Sequence, residues 1–406
     1  MAADYTAYSS ILKEVWTSKR LEEQLYQDNP FLDQVEKRKP AVSIGDTAQT
    51  PLHLGRSGGY SVMPRGGGAL NAADEQKVNA ASWTWTHHYF QIQIESSTID
   101  ETSNNNLAAA EVVETEVSGA IDDMRKQLTR QFVGGDQTAL ISACGTTSGS
   151  TEIELNAEDG YDALVRGWLG VGSIVDIGTT AVETDIINNE SVTAVEISST
   201  TPSITVASSS TTDSSDYVSI ADARSGTTSY ESNGLLNIVD TGDTLGGITV
   251  ASEPNWVAAR EDSTAQDLSL NAIAQQQEAV FQKTGKTPDW CLTSPKQQRL
   301  FYLLVQPQVR FEGDLKLGAG SVGGVQWNGM KIDAQPDVKD RHWFTLTKKN
   351  LFTIRTEGPA WMPEKYGNKG ILDWNQGNTS MVSAAVYRTQ LCTDRRNAHA
   401  KISDLN

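Results

Sequence analysis

The chain has 406 residues and a formal charge of −18, from 51 acidic against 33 basic side chains. That length buries a substantial core and suggests two or three domains. The charge argues against a dedicated nucleic-acid binder, because affinity for a phosphate backbone comes from basic side chains displacing counterions.

Apolar residues make up 38% of the chain, a little low for a globular protein, which leaves room for extended or partner-dependent segments. Cys144, Cys291 and Cys392 lie far apart without a CxxC pair, so the spacing supports neither a disulfide framework nor a zinc site. The first ten residues have no basic n-region and no apolar h-region, and no apolar run approaches membrane length. The expectation is a chain made and kept in a cytosol unless released inside a particle.

Residues 1–45 read as an arm: Ile11, Leu12, Val15, Trp16 and Leu25 sit at roughly helical spacing, and Pro30 and Pro40 punctuate the second half. The run Glu36-Lys37-Arg38-Lys39 reads as a solvated face. In 46–95, a short strand at 50–54 leads into a glycine-rich tip that carries Arg56 and Arg65. A period-two segment occupies 83–95, with Trp83, Trp85, His87 and Tyr89 on one face and Phe90, Ile92 and Ile94 on the other. As one hairpin, each arm of about 18 residues reaches roughly 60 Å at about 3.3 Å per residue, against a compact radius of about 22 Å. Such a ribbon needs a neighbouring subunit to lie on. The alternative is a hairpin folded back within its own domain.

Residues 104–133 give the clearest helix, with Leu107, Val113, Val117, Ile121, Met124, Leu128 and Phe132 in one stripe and Gly134-Gly135 closing it. From 168 to 255 short strands alternate with Ser/Thr-rich text, which predicts a small β-barrel or inserted β-subdomain, with the run 198–215 as a mobile loop. From 265 to 335 the pattern is α/β. Leu270, Ile273, Val280 and Phe281 mark one helix. Ser294-Pro295 opens another in the preferred N-cap and N1 order, with Leu300, Leu303 and Leu304 as its apolar face. Further strands are expected at 324–332, 343–346, 351–354 and 379–391.

Motifs for chemistry fail on inspection. Gly318-Ala-Gly320-Ser-Val-Gly323 fits G-x-G-x-x-G but leads into turn-and-strand text, not into the helix whose N-terminus meets a pyrophosphate. Gly285-Lys286-Thr287 lacks the upstream glycine of a P-loop, since Val280 stands there. The adjacent His87 and His88 point opposite ways on a strand, and His53, His342 and His399 lack partners at helix spacing. No catalytic, cofactor-binding or metal-binding residue is nominated, and no enzyme is expected.

The order of these parts resembles the HK97-fold major capsid proteins of tailed bacteriophages, and local text supports the likeness. Gly234-Leu-Leu-Asn-Ile-Val239, Gly246-Gly-Ile248 and Pro254-Asn-Trp256 look like axial-domain text of that family. Leu292-Thr-Ser-Pro-Lys296, Gly324-Val-Gln-Trp-Asn-Gly-Met-Lys-Ile332 and Thr393-Asp-Arg-Arg-Asn397 resemble its later segments. The resemblance implies an α+β chain with an N-terminal arm (1–45), an extended hairpin loop (46–95) and a peripheral domain with a spine helix (96–144). It places an axial domain at 145–320, with a β-rich insertion at about 168–222, then peripheral strands and tail (321–406).

It further implies self-assembly into hexamers and pentamers of an icosahedral head shell around double-stranded DNA. Arg56, Arg65, Trp83, Trp85 and Tyr89 are then the candidate inter-subunit contacts. Expected partners are other copies of the chain, a separate scaffolding protein, a portal and packaged DNA touched non-specifically; a cement protein is also admitted, and a membrane is not. The expected location is the virion, with assembly in the host cytoplasm. Two other readings stay open: an encapsulin-like compartment, and a tail or adhesin protein that binds glycans.

Overall fold

The computed structural model describes residues 29–406 apart from 41, 56–59, 64, 66, 70–71, 73–74, 96–105, 180–184, 226–227, 243, 307–325, 356–357, 363–372 and 375–379. The arm's apolar residues 11–25 and the Gly318–Gly323 motif lie outside these. The chain crosses repeatedly between two compact units. One holds Met1–Gln34, Thr86–Leu235 and Arg355–Thr389; the other holds Val35–Trp85, Leu236–Ile354 and Gln390–Asn406.

The first unit is organised on the long helix Asn106–Thr129, which runs on through a π-turn at Arg130–Gly134. Its described apolar stripe is buried as the periodicity predicts: Val117, Ile121, Met124, Leu128 and Phe132. The π-turn also turns polar side chains inward. Arg130 pairs with Glu231 in the interior, and Gln131 Oε1 accepts from Ser232 N at 3.1 Å. Gly135 has an extended φ of −92°, so it is no left-handed cap. Its glycine is required by closeness instead: a Cβ there would collide with Gln131 O, and one on Gly234 would collide with Gly135 O. Beside the helix, strand Thr86–Glu95 pairs antiparallel with Ser380–Thr393, from Thr86↔Thr389 to Glu95↔Ser380.

The predicted β-subdomain is present in this unit. One sheet orders Ala194–Glu196, Ser203–Thr212 and Thr147–Glu154; another orders Ser142–Ala143, Asp216–Ile220, Ile174–Thr179 and Asp185–Ser191. They close on one core in which Ile153, Val175, Ile177, Ile204 and Val218 are fully buried, with Trp168 beside them. That core begins at Ile141, well before the expected start at 168. The Ser/Thr run is also not a loop. Ser203–Thr212 is the central strand of its sheet, because Ile204 and Val206 alternate inward while the hydroxyl residues beyond them face mostly outward.

The second unit is built on a six-stranded mixed sheet in the order Arg260–Asp262, Ala400–Ile402, Trp343–Leu346, Trp290–Thr293, Met330–Ala334, Gln326–Trp327. Trp290–Thr293, buried at every position, lies antiparallel to Trp343–Leu346 and parallel to Met330–Ala334. The domain boundary expected at 320/321 therefore falls inside one sheet. Both predicted helices form, the second with its predicted cap. Ser269 accepts from Ala272 N ahead of Leu270–Thr284, which ends on Gly285 at φ +70°, and Ser294 accepts from Gln297 N ahead of Pro295–Val305. Their apolar faces differ slightly from expectation: Val280 and Phe301 are buried, whereas Phe281 and Leu303 point outward. Strand Glu36–Arg38, expected as a solvated charge run, pairs parallel with Leu351–Arg355, and the Arg38 guanidinium lies 4.2 Å over the Phe352 ring.

Among the described residues no helix is long and apolar enough to cross a membrane, and no group of three potential metal ligands forms.

Candidate self-assembly surfaces

The hairpin region belongs to the second unit. Thr47–His53 pairs antiparallel with Val78–Thr84, and Val42–Ile44 adds a third strand. Among the described residues seven pairs reach roughly 23 Å, against the expected 60 Å. The difference arises at Trp85. The period-two text at 83–95 predicts one strand, but Trp85 breaks it: Val78–Thr84 stays in this hairpin and Thr86–Glu95 joins the other unit's sheet. Trp85 N donates to Asp46 O at 2.9 Å, a last bond in the hairpin's own register before the chain passes to the other sheet.

The base of the hairpin is fixed within its own unit. Ala48, Leu52, Ala81 and Trp83 are buried, and Trp83 Nε1 donates to Thr50 Oγ1 at 3.2 Å. Ser82 N donates to Gly246 O at 2.8 Å. Gly246 and Gly247 form the turn between Thr244–Leu245 and Ile248–Thr249 with φ of +61° and +76°, a pair of left-handed positions that glycine fills without strain. Beyond His53 the character changes. Leu54 N and Gly55 N both donate to Lys77 O, which closes the paired part. Past them, Tyr60 is 83% and Val62 80% exposed, with Arg65 exposed nearby. Tyr60 and Val62 are the two most exposed large apolar side chains among the described residues.

The unit is tied together by a buried cation. Arg396 is 1% exposed, and its guanidinium donates to the carbonyl oxygens of Ile238 (3.1 Å), Gly242 (2.9 Å), Asn237 (3.2 Å) and Trp256 (3.4 Å). Lys401 Nζ adds Leu236 O at 3.2 Å and pairs with Glu261 at 2.9 Å. The short helix Leu235–Ile238 thus has its free C-terminal carbonyls satisfied by two cations. Trp256, fully buried, donates Nε1 to Leu245 O at 2.9 Å. Burial pulls the Arg396 pKa down, while Asp240 and Glu261 oppose that loss. Burial would raise the Glu261 carboxyl, but hydrogen bonds from Asp240, Lys401 and Thr241 bring it down to about 2; burial and Glu261 raise Asp240.

No known protein family matches the sequence, and no curated protein does. Solved structures match the fold. The cyanophage A-1(L) capsid asymmetric unit is similar over 93% of this chain and 93% of its own, at 11% identity and a TM-score of 0.53. A native GTA particle capsid chain aligns over 94% of this chain and 91% of its own, at 8% identity and a TM-score of 0.49. The holo-SrpI encapsulin complex from Synechococcus elongatus PCC 7942 aligns over 98% and 95%, at 8% identity and a TM-score of 0.44. The chain has the HK97-type capsid fold.

In this capsid fold the nominated contact residues separate. Arg56 lies outside the described residues. Arg65 is exposed on the hairpin tip, and Tyr89 is 59% exposed on strand Thr86–Glu95. Tyr89 shares a groove of about 570 Å³ with His87, Asp123, Gln127 and Tyr230, whose ring is also exposed. Trp83 and Trp85 are 3% and 8% exposed, so their rings are committed within the chain and not displayed. Tyr60 and Val62 are displayed, yet sequence reasoning passes over them because isolated apolar residues among glycines carry no periodicity. Arg396 enters the sequence reading only as part of a family-like ending; an arginine pair closing an apolar strand was the available signal.

Proposed function

We propose that the chain is the major capsid protein of a tailed bacteriophage, a non-enzymatic subunit that self-assembles into hexamers and pentamers of an icosahedral shell enclosing double-stranded DNA. The observation that carries this reading is the whole-chain likeness of fold to the cyanophage capsid, 93% of each chain. The hairpin supports it: a base locked by Trp83 and Gly246 presents a tip with Tyr60, Val62 and Arg65 exposed, suited to lie across a neighbouring copy. Contacts of this head-to-tail kind close rings, and many moderate interfaces together stabilise a particle. The excess of acidic over basic residues fits a wall that holds DNA without gripping it. A separate scaffolding protein and a portal belong to the same reading, with assembly in the host cytoplasm and residence in the virion.

Negative-stain electron microscopy of the purified protein, alone and co-expressed with its neighbouring phage genes, tests the proposal. Uniform shells or capsomer rings are the expected result. Shells loaded with a second protein would make the chain a compartment subunit. Monomers under both conditions would overturn the shell reading and favour a glycan-binding role.

A further inference from the structure

We propose that the second unit carries an oxyanion-binding pocket, formed where the chain turns after the strand Ser380–Thr393, with Lys283 and Arg395 as its charged donors. The pocket measures about 420 Å³; Asn255, Asn397 and His53 contribute further polar edges, and the Asp394 carboxylate also lines it.

The turn places successive side chains in different directions. Arg396 goes inward to the carbonyl knot. Asp394 is engaged by Arg38 Nη1 at 3.3 Å and Asn350 Nδ2 at 2.6 Å. Arg395 is held by neutral groups: its Nε donates to Asn397 Oδ1 at 3.1 Å and its Nη2 to Lys283 O at 3.4 Å. Lys283 Nζ donates to Ala258 O at 3.2 Å. Among the described residues neither cation makes an ion pair. Their positions are therefore set by backbone and amide oxygens, while three N–H groups of Arg395 and two of Lys283 stay available. Burial alone lowers the Lys283 pKa, and no carboxylate works against it.

The competing explanation is that both cations only cap the helix Leu270–Thr284. Arg395 does reach one last-turn carbonyl, Lys283 O, but Lys283 Nζ reaches Ala258 O, outside the helix. Val280 O accepts from Thr284 Oγ1 at 2.8 Å, and Phe281 O accepts from Gly285 N at 2.7 Å. The helix end therefore engages Arg395 through one carbonyl only, and three of the arginine's N–H groups remain. A planar fork beside a point charge, with amides at the rim, matches a carboxylate or a phosphate. Two sources carry that chemistry: free phosphate, and an acidic side chain of another copy of this chain.

The test is thermal unfolding of the purified full-length subunit during titration with inorganic phosphate, at constant ionic strength and against chloride. The expected result is a phosphate-dependent rise in Tm that Lys283→Met and Arg395→Gln both abolish and Lys283→Arg retains, with circular dichroism unchanged. Equal rises in phosphate and chloride, or a rise that survives both variants, would overturn the site. Phosphate binding to assembled particles then separates the sources: retained binding identifies free phosphate, and binding lost on assembly identifies a neighbour's carboxylate in the pocket.

Discussion

The inserted β-subdomain and the second unit solve the same problem of stability by opposite means. Between residues 141 and 222 there are thirteen acidic residues, one basic residue (Arg166) and no lysine or histidine. Its strands close on aliphatic side chains and Trp168, and the buried Asp176 is met by backbone, accepting from Asn189 N at 2.7 Å and Asp222 N at 2.8 Å. The second unit instead buries cations on carbonyls. Nearly all the text that resembles capsid proteins lies in that unit, and Arg396 stands in one of those phrases while donating to two others. The difference teaches that the β-subdomain is held by an aliphatic core alone, whereas the second unit adds to its own hydrophobic core a polar knot of cations on carbonyls.

Removing the knot has the largest expected effect. Arg396→Met strands four carbonyls without their donor, and breaking a buried charged network costs about 3–5 kcal/mol. A full-length subunit with that change should unfold at much lower urea or not fold at all, and Arg396→Lys should not restore it, because one ammonium cannot span the same oxygens. Near-normal urea unfolding of Arg396→Met would show that the carbonyls find other partners. Ile204→Ala, in the fully buried centre of the insertion, is expected to cost about 2–5 kcal/mol through lost burial and a cavity. Its signature differs from that of Arg396→Met: amide exchange should rise in Ile174–Thr179 and Ser203–Thr212 and leave Trp290–Thr293 unchanged. Equal loss of protection in both regions would mean the insertion does not stand alone.

Acid sharpens the same contrast. His399 is fully buried, and the His342 ring holds its Nδ1 out of solvent without a hydrogen-bond partner. Burial holds His399 and His88 at about 4 and His342 at about 3, against an ordinary 6.5. A lowered folded pKa means that the unfolded chain takes up the proton first. Stability is therefore complete above pH 6.5 and is lost as pH falls from there through about 4, by roughly 3 kcal/mol for His399 alone. Glu261, held down to about 2, loses its contribution as pH falls below 4.5, and its coupled neighbour Asp240, which burial and Glu261 raise, offsets part of that loss. Two of these histidines and Glu261 sit in the second unit, and the insertion has no histidine. As pH falls below 6.5, amide protection relative to intrinsic exchange should fall in Trp343–Leu346 well before Ile174–Thr179, and His342→Gln should flatten the pH dependence. A parallel fall in both would place the acid sensitivity elsewhere.

The sequence made some of this contrast visible. The two helices of the second unit were legible because a 3.6-residue apolar period marks each, with Ser294-Pro295 adding a start signal at the second. The insertion was legible as β-structure, but its central strand was hidden, since Ser208-Ser-Ser-Thr-Thr212 looks like a loop unless Ile204 and Val206 are weighed as its inward face. The break at Trp85 was invisible because the period of two continues across it; only the change of partner strand marks the boundary. The knot around Arg396 left almost no trace, because its acceptors are backbone carbonyls and every residue has one. Trp83 was misjudged for a related reason: a period-two face says which side chains align, not whether that face meets its own chain or another.

The smallest expected change in stability, and the most informative about assembly, is at the hairpin tip. Tyr60 and Val62 are almost fully exposed, so Tyr60→Ser with Val62→Ser removes little buried area from the subunit and should move its unfolding free energy by less than about 0.5 kcal/mol. If the tip lies on a neighbour, the same pair loses most of its apolar contact area in the shell, repeated at every copy, and each lost contact weakens closure. Sedimentation of the double variant should show folded subunits with few closed particles, while Tyr89→Ser gives a milder loss if its groove receives a different contact. Normal particle yield from the double variant would remove the tip from the assembly interface and leave the Tyr89–Tyr230 groove as the surface to pursue.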